Sequence, residues 1–379
     1  MTQWEPTVKK LSAAEPPAKD ERESLRKGRT LFREGRFDDA RRAFEDLLAG
    51  FPKSAGAHLG LGLVLLRRGS PEEAGAHFVE ARKLDPLLPK AYVLEGQALL
   101  EQGHFEPAMA AFRDALTLDP KAVRAMVGLG QALVRQQRLA EALETLNAAL
   151  RYEPRKVLPR LLLAEIHGGQ GRAADAIAEL RLVLEIDPQH VRAANLLAKT
   201  LVGADDRAEA ERVLRAAVAR SADESARLVQ LGRAALDLEF FQIAEDALLA
   251  ALQRDPDRAA IRLHLVEALL ANGKLEAAEQ QARKLPQSGQ TASLVHKLLG
   301  DVHLRRKQFR LAVEEYRATV LHLPDNERLL EDLKRELSAG GEAAEWEELA
   351  EALQPSVADH VAEESRRIRQ NRKQRRERR

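Results

Sequence analysis

The chain has no cysteine, so disulfides, thiolate metal sites and cysteine nucleophiles are excluded. Aromatic residues make up only 4% of it against 31% charged, and alanine and leucine dominate, the composition of a helix-rich protein. No apolar run approaches the ~20 residues that span a bilayer. The first twenty residues, MTQWEPTVKKLSAAEPPAKD, hold no apolar stretch suited to a secretory signal, and the expected compartment is the cytoplasm. A phosphate-binding glycine loop, HExxH and a nucleophile elbow are all missing, so catalysis is not expected and no cofactor is implied.

Charge is unevenly spread. Residues 366–379 carry nine Arg or Lys and one Glu, a net +8, which leaves −7 on the other 365 residues. A length of 379 residues also exceeds one ordinary core, so several domains or a repeat array are expected.

The array is visible in the prolines. Pro52, Pro86, Pro120, Pro154 and Pro188 stand 34 residues apart, and Pro256 and Pro324 keep the same register. Twelve residues before each mark stands an alanine, in nine successive places from Ala40 to Ala312. A second small column runs Gly28, Gly62, Gly96, Gly130, Ala164, Ala198, Gly232, Val266 and Gly300. Small residues at fixed places let paired helices approach closely. Apolar spacing within each copy is helical, as in Leu129, Leu133, Val134, then Leu139, Leu143, Leu146 and Leu150. Gly35, Gly69, Gly103, Gly171 and Gly273 suit the left-handed residue that ends a helix, and the Asp-Pro pairs stop the next one. Each copy therefore reads helix, short turn, helix, turn.

With the 34-residue period, these columns and Phe44, Phe78, Phe112 and Tyr316, the chain resembles tetratricopeptide repeat proteins. The resemblance implies an all-α, right-handed superhelical α-solenoid of tandem helix-turn-helix repeats whose first helices line a concave groove. Units of that kind bury their apolar faces only by stacking on neighbours. The domain reading is a disordered segment 1–20, nine repeats over 21–326, capping helices over 327–354 and a basic tail over 355–379. Repeat 8 departs most, with Val266 in the small column, Ala282 in the bulky one and Pro286 cutting its second helix early. A local change of pitch is expected there.

The resemblance further implies where a partner would lie. The expected groove residues are Arg29, Arg33, Leu59, Leu66, Arg67, Val93, Leu100, Arg124, Val127, Val134, Arg135, Leu161, Asn195 and Val202. Aliphatics would bury a partner's apolar side chains, and basic residues of repeats 1–4 would attract acidic flanks. The competing reading has the aliphatic stripe packed between neighbouring units and the arginines solvated. Gly168 and Gly169 either fray a helix end, the preferred reading, or admit a partner's backbone beside Asn195. Carboxylate-clamp members of the family need asparagines that are absent where Leu25, Arg29, Leu63, Gln97 and Gln131 stand, so that co-chaperone role is not expected.

His296 and His303 lie seven apart, but they occupy places filled elsewhere by Tyr92 and Leu99, so packing is expected rather than ligation. Residues 342–354, EAAEWEELAEALQ, put Trp346, Leu349 and Leu353 among five glutamates, which suits either a second capping helix or self-docking. The tail residues Arg366, Arg367, Arg369, Arg372, Lys373, Arg375, Arg376, Arg378 and Arg379 can bind polyanion non-specifically, whether nucleic acid, ribosome or anionic membrane. The leading function is a non-catalytic scaffold or adaptor that holds a protein or peptide segment. A nucleic-acid- or ribosome-associated factor and a self-assembling scaffold are the alternatives.

Overall fold

The computed structural model describes residues 19–286, 290–308, 311–312, 314–315 and 318–319. These form an all-α solenoid of helix pairs, divided into two compact units at Asp187/Pro188. Unit 1 holds α1 (Lys19–Arg33), α2 (Phe37–Gly50), α3 (Ala55–Arg67), α4 (Pro71–Leu84) and α5 (Pro89–Glu101). It continues with α6 (Phe105–Leu118), α7 (Val123–Arg135), α8 (Leu139–Tyr152), α9 (Val157–Gly169) and α10 (Ala173–Ile186). Unit 2 holds α11 (Val191–Gly203), α12 (Arg207–Arg220), α13 (Ser225–Asp237), α14 (Phe241–Arg254), α15 (Ala259–Ala271), α16 (Leu275–Ala282) and α17 (Gln290–Arg305). Among the described residues no helix is long and apolar enough to cross a membrane.

Helix ends follow from two local rules. After each first helix one residue takes positive φ and the next N–H reaches back to close the turn, as Arg36 does to the Leu31 carbonyl (3.0 Å) and His104 to that of Leu99 (2.8 Å). Glycine fills that left-handed place at Gly35, Gly69, Gly103, Gly171 and Gly273, but Gln137, Asp205, Glu239 and Lys307 fill it elsewhere, with φ of 58°, 63°, 60° and 58°. Four second helices stop at an aspartate held in extended backbone before a proline, at Asp85, Asp119, Asp187 and Asp255, as at Asp119 with φ −135° and ψ 94°.

Packing explains the sequence columns. The alanines from Ala40 to Ala312 are all 0% exposed. In the small column, Gly28, Gly62, Gly96, Gly130 and Gly232 each lie under a large side chain of their own second helix. A Cβ at Gly28, Gly62 or Gly96 would come within 2.6, 2.5 or 2.7 Å of Phe44, Phe78 or Phe112. Where the large residue shrinks to Leu180 or Leu214, alanine (Ala164, Ala198) takes the glycine's place and stays buried. Repeat 8 completes the series: Val266 faces the place of Ala282, and both are 0% exposed. Its two departures are a single exchange of volume between the helices.

A polar tie also recurs, which the sequence reading missed. Near the start of a first helix, one side chain reaches back to the carbonyl six residues earlier, across to a residue nineteen later on the second helix, or both. Arg160 donates to the Pro154 carbonyl (2.8 Å) and to Glu179 (2.6 Å); Arg262 donates to Pro256 (2.6 Å) and Gln281 (2.7 Å). His58 meets His77 at 3.0 Å with Pro52 at 3.4 Å, and Tyr92 donates to the Pro86 carbonyl at 3.0 Å. His296 meets Glu315 at 2.7 Å, and buried His303 meets Gln308 at 2.9 Å, so both are committed to local hydrogen bonds. Among the described residues no group of three or more His, Asp or Glu could hold a metal.

The first helix of the array, α1, begins at Lys19. One expectation needs correction. Gly168 and Gly169 do not fray α9, which runs through both to the length of its counterparts and closes on Gly171. In repeat 8, α16 spans 8 residues where other second helices span 14, ending before Pro286. The segment 1–18, the segment 327–354 and the tail 355–379 lie outside the described residues.

Two stability outcomes follow. Gln137→Gly removes a left-handed strain of roughly 1–2 kcal/mol and loses part of that to backbone entropy, so a gain of about 0.5–1 kcal/mol is expected in urea unfolding. Gly128→Ala brings a Cβ to 2.3 Å from buried Phe112, and overpacking of about 1–3 kcal/mol should outweigh alanine's better helix propensity.

Candidate interaction surface

In unit 1 the first helices touch one another in succession, α1 with α3, α3 with α5, α5 with α7 and α7 with α9, while second helices do not meet to a comparable extent. The closer-spaced layer is the inner side of a curved stack, so the first helices form the concave face of this unit. On α3, α5, α7 and α9 its exposed residues stand near the helix ends, whereas α1 at the start of the stack is exposed along more of its length.

Those ends are cationic. Arg29 and Arg33 on α1, Arg67 on α3, Lys90 on α5, and Arg124 and Arg135 on α7 are all exposed. Among the described residues none of the six is joined to a carboxylate by a salt bridge, whereas cations on the second helices and turns commonly are. Arg41–Glu45, Lys83–Glu80 and Arg138–Glu141 close at 2.7, 2.6 and 2.7 Å. Arg33 instead donates to the Arg29 carbonyl at 3.4 Å and to Thr30 at 3.3 Å. Glu101 is the acidic residue of this set. Burial pushes its carboxyl up, and the charge of Arg67 pulls against that.

Helix electrostatics separate the cations into two kinds. Arg33, Arg67 and Arg135 lie in the last turn of their helices, where the dipole favours positive charge. Lys90 and Arg124 lie in the first turn of α5 and α7, where it opposes it. Lys90 is held below the usual lysine value, by burial first and then by the charges of Arg29 and Arg124. The fold therefore gathers three cations from three repeats without supplying a counter-charge.

The apolar part of the surface is smaller than the sequence implied. Leu59, Val93, Val127 and Leu161 are 5, 6, 6 and 3% exposed. Burial of this degree agrees with the competing reading, in which the aliphatic stripe packs between neighbouring units. Val127, for example, clusters with Val123, Met126, Ala149 and Leu158. Leu66, Leu100 and Val134 are half-buried, resting on the core while keeping an outer surface. Leu66 and Val134 are each followed by an exposed arginine, Arg67 and Arg135.

Asn195 and Val202 belong to unit 2, where both are half-buried on α11. The Asn195 Oδ1 is buried with no hydrogen-bond partner. On the first helices of unit 2, Lys297 pairs with Asp301 at 3.1 Å and His264 meets Glu267 at 3.0 Å, while Lys199 and Arg233 are exposed without a salt bridge among the described residues. Lys90 is one of the basic residues that the sequence places along the first helices of repeats 1–4, directly after the helix-starting Pro89.

Comparison with known proteins agrees with this architecture. The sequence profile described as "Tetratricopeptide repeat" matches residues 25–89, 93–156, 131–191 and 229–293, and a second profile of the same description matches 169–236. No curated protein sequence matches the chain. Among solved structures it is similar to pilF of Pseudomonas aeruginosa, with 21% identity over 59% of this chain and 96% of that one, at a TM-score of 0.49. It is also similar to the thermophilic TPR protein TTC0263 of Thermus thermophilus, with 24% identity over 48% and 99% of the two chains and a TM-score of 0.43. YrrB, described as a TPR protein with an unusual peptide-binding site, gives 22% identity over 49% and 96%, with a TM-score of 0.38.

The like-charge cluster has a thermodynamic signature. A lysine whose folded-state value is depressed burdens the fold while it is charged, and that burden lifts as pH rises through the folded value toward the unfolded one near ~10.4. Lys90→Met should therefore raise the melting temperature at neutral pH, and its advantage over the parent should close under strongly alkaline conditions. A lower melting temperature for Lys90→Met at neutral pH would contradict the assignment.

Proposed function

The chain belongs to the tetratricopeptide repeat family, and from that premise we propose that unit 1 holds an acidic segment of a protein partner on its concave face. A protein-interaction scaffold is what the family's fold supports in general. The observation that carries the finer reading is the set of exposed first-helix cations Arg29, Arg67, Lys90, Arg124 and Arg135 that no salt bridge among the described residues neutralises, two of them, Lys90 and Arg124, at helix starts that disfavour positive charge. Nothing in the stability of unit 1 calls for this arrangement. A bound carboxylate would supply the missing counter-charge.

The partner's chemistry follows from the side chains present. Leu66, Leu100 and Val134 offer small apolar footholds one repeat apart, with Arg67 and Arg135 beside two of them. A matching segment carries aliphatic or aromatic residues spaced among Asp and Glu. Apolar contact would supply much of the affinity, and the charges would supply rate and selectivity. Binding is then salt-sensitive, because every cation involved is exposed. The reading is non-catalytic and requires no cofactor.

Peptide display against the full-length protein tests it. The parent should enrich segments with apolar residues flanked by Asp or Glu. Arg67→Glu/Arg124→Glu/Arg135→Glu should weaken those peptides on the order of tenfold or more, since three lost pairs at about 0.5 kcal/mol each approach 1.4 kcal/mol. Enrichment indifferent to acidic flanks, or affinity unchanged in the triple variant, would refute the proposal.

A further inference from the structure

We infer that the segment bound by unit 1 is residues 342–354 of a second copy of this chain, so that copies associate head to tail. The inference rests on the reading of unit 1 as a surface for acidic segments and names its partner. EAAEWEELAEALQ carries five glutamates and no lysine or arginine. Its large apolar residues, Trp346, Leu349 and Leu353, recur at intervals of three and four, with Glu347 directly after the first and Glu348 directly before the second. The face of unit 1 shows the same alternation with the charge reversed: Leu66 before Arg67 and Val134 before Arg135, beside the cluster of Arg29, Lys90 and Arg124.

The complementarity is one of sign and of kind. Carboxylates meet cations that no salt bridge neutralises, and apolar residues meet half-buried aliphatics. The two surfaces are different parts of the sequence, one within repeats 1–4 and one after repeat 9. Each association therefore leaves one face and one segment free, the heterologous geometry that builds rings or open strings rather than a closed symmetric dimer. The basic residues 366–379 share the sign of the face and cannot replace the segment there.

Light scattering and sedimentation velocity on the full-length protein test this across a wide concentration range at low and high salt. The mass should rise above the 42.1 kDa of one chain as concentration increases at low salt, and return to it at high salt. Arg29→Glu/Lys90→Glu/Arg124→Glu, and separately an internal deletion of 342–354, should each hold the protein at one chain. An equimolar mixture of the two should give a species of two chains and nothing larger, because only one face and one segment remain intact between them. Deleting 366–379 should leave assembly in place.

A mass fixed at 42.1 kDa under all conditions, assembly that survives deletion of 342–354, or assembly lost with 366–379 alone would overturn the inference. A labelled synthetic 342–354 peptide, titrated into the deletion variant, separates the two levels. Failure of that peptide while display-derived acidic peptides still bind removes the second copy and leaves the reading of unit 1 standing. Failure of both removes both.

Discussion

The structure depends on one steric exchange, repeated along the chain, between a place on each first helix and the facing place on its second. Phenylalanine demands glycine, as Phe44 does of Gly28 and Phe112 of Gly96. Leucine tolerates alanine, as with Leu180 and Ala164, and alanine is met by Val266. A larger residue on one helix goes with a smaller one on the other, although Leu146 and Leu248 also face glycines, Gly130 and Gly232. A helix pair closes to its working distance only when the two residues fit, because a close-packed interior absorbs neither a void nor an extra methyl cheaply. Phe44 and Phe112 extend the constraint to the following repeat, where a Cβ at Gly60 or Gly128 would come within 2.4 or 2.3 Å of the ring. The same side chain thus sets spacing within a repeat and between repeats.

This explains what was legible in the sequence. A constraint that recurs every 34 residues writes itself as columns, and Ala40 through Ala312 could be read without coordinates. Val266 and Ala282 looked like two irregularities, since a column shows one place at a time and their compensation lies across two helices. The left-handed residue could be found where glycine filled it, but Gln137, Asp205 and Glu239 hide the same geometry behind ordinary side chains. The ties made by His58, Tyr92, Arg160 and Arg262 share a position and a carbonyl target yet no residue type, so no column marks them.

The surface was less legible than the core for a physical reason. Family geometry assigns a side of the helix to Leu59, Val93, Val127 and Leu161, but the degree of burial depends on the size of the neighbours that close over them. Large aliphatics in adjacent repeats consume that stripe as joint. What remains is carried by residues at helix ends, where the packing constraint is silent. Charge there answers to helix dipoles and to its neighbours, and the sequence shows neither until helix starts such as Pro89 and Val123 are fixed.

Core and surface are therefore written in separate positions, which bears on how such an array acquires a partner. Replacing Phe112 or Gly128 alters the distance between helices and so disturbs every contact that the pair makes. Replacing Lys90 or Arg124 touches no core contact and relieves repulsion instead. In unit 2 the corresponding helices pair Lys297 with Asp301 and His264 with Glu267, on a repeat frame of the same kind. Lys90 and Arg124 stand at helix starts, where the dipole opposes positive charge, so their identity answers to no packing constraint of the repeat.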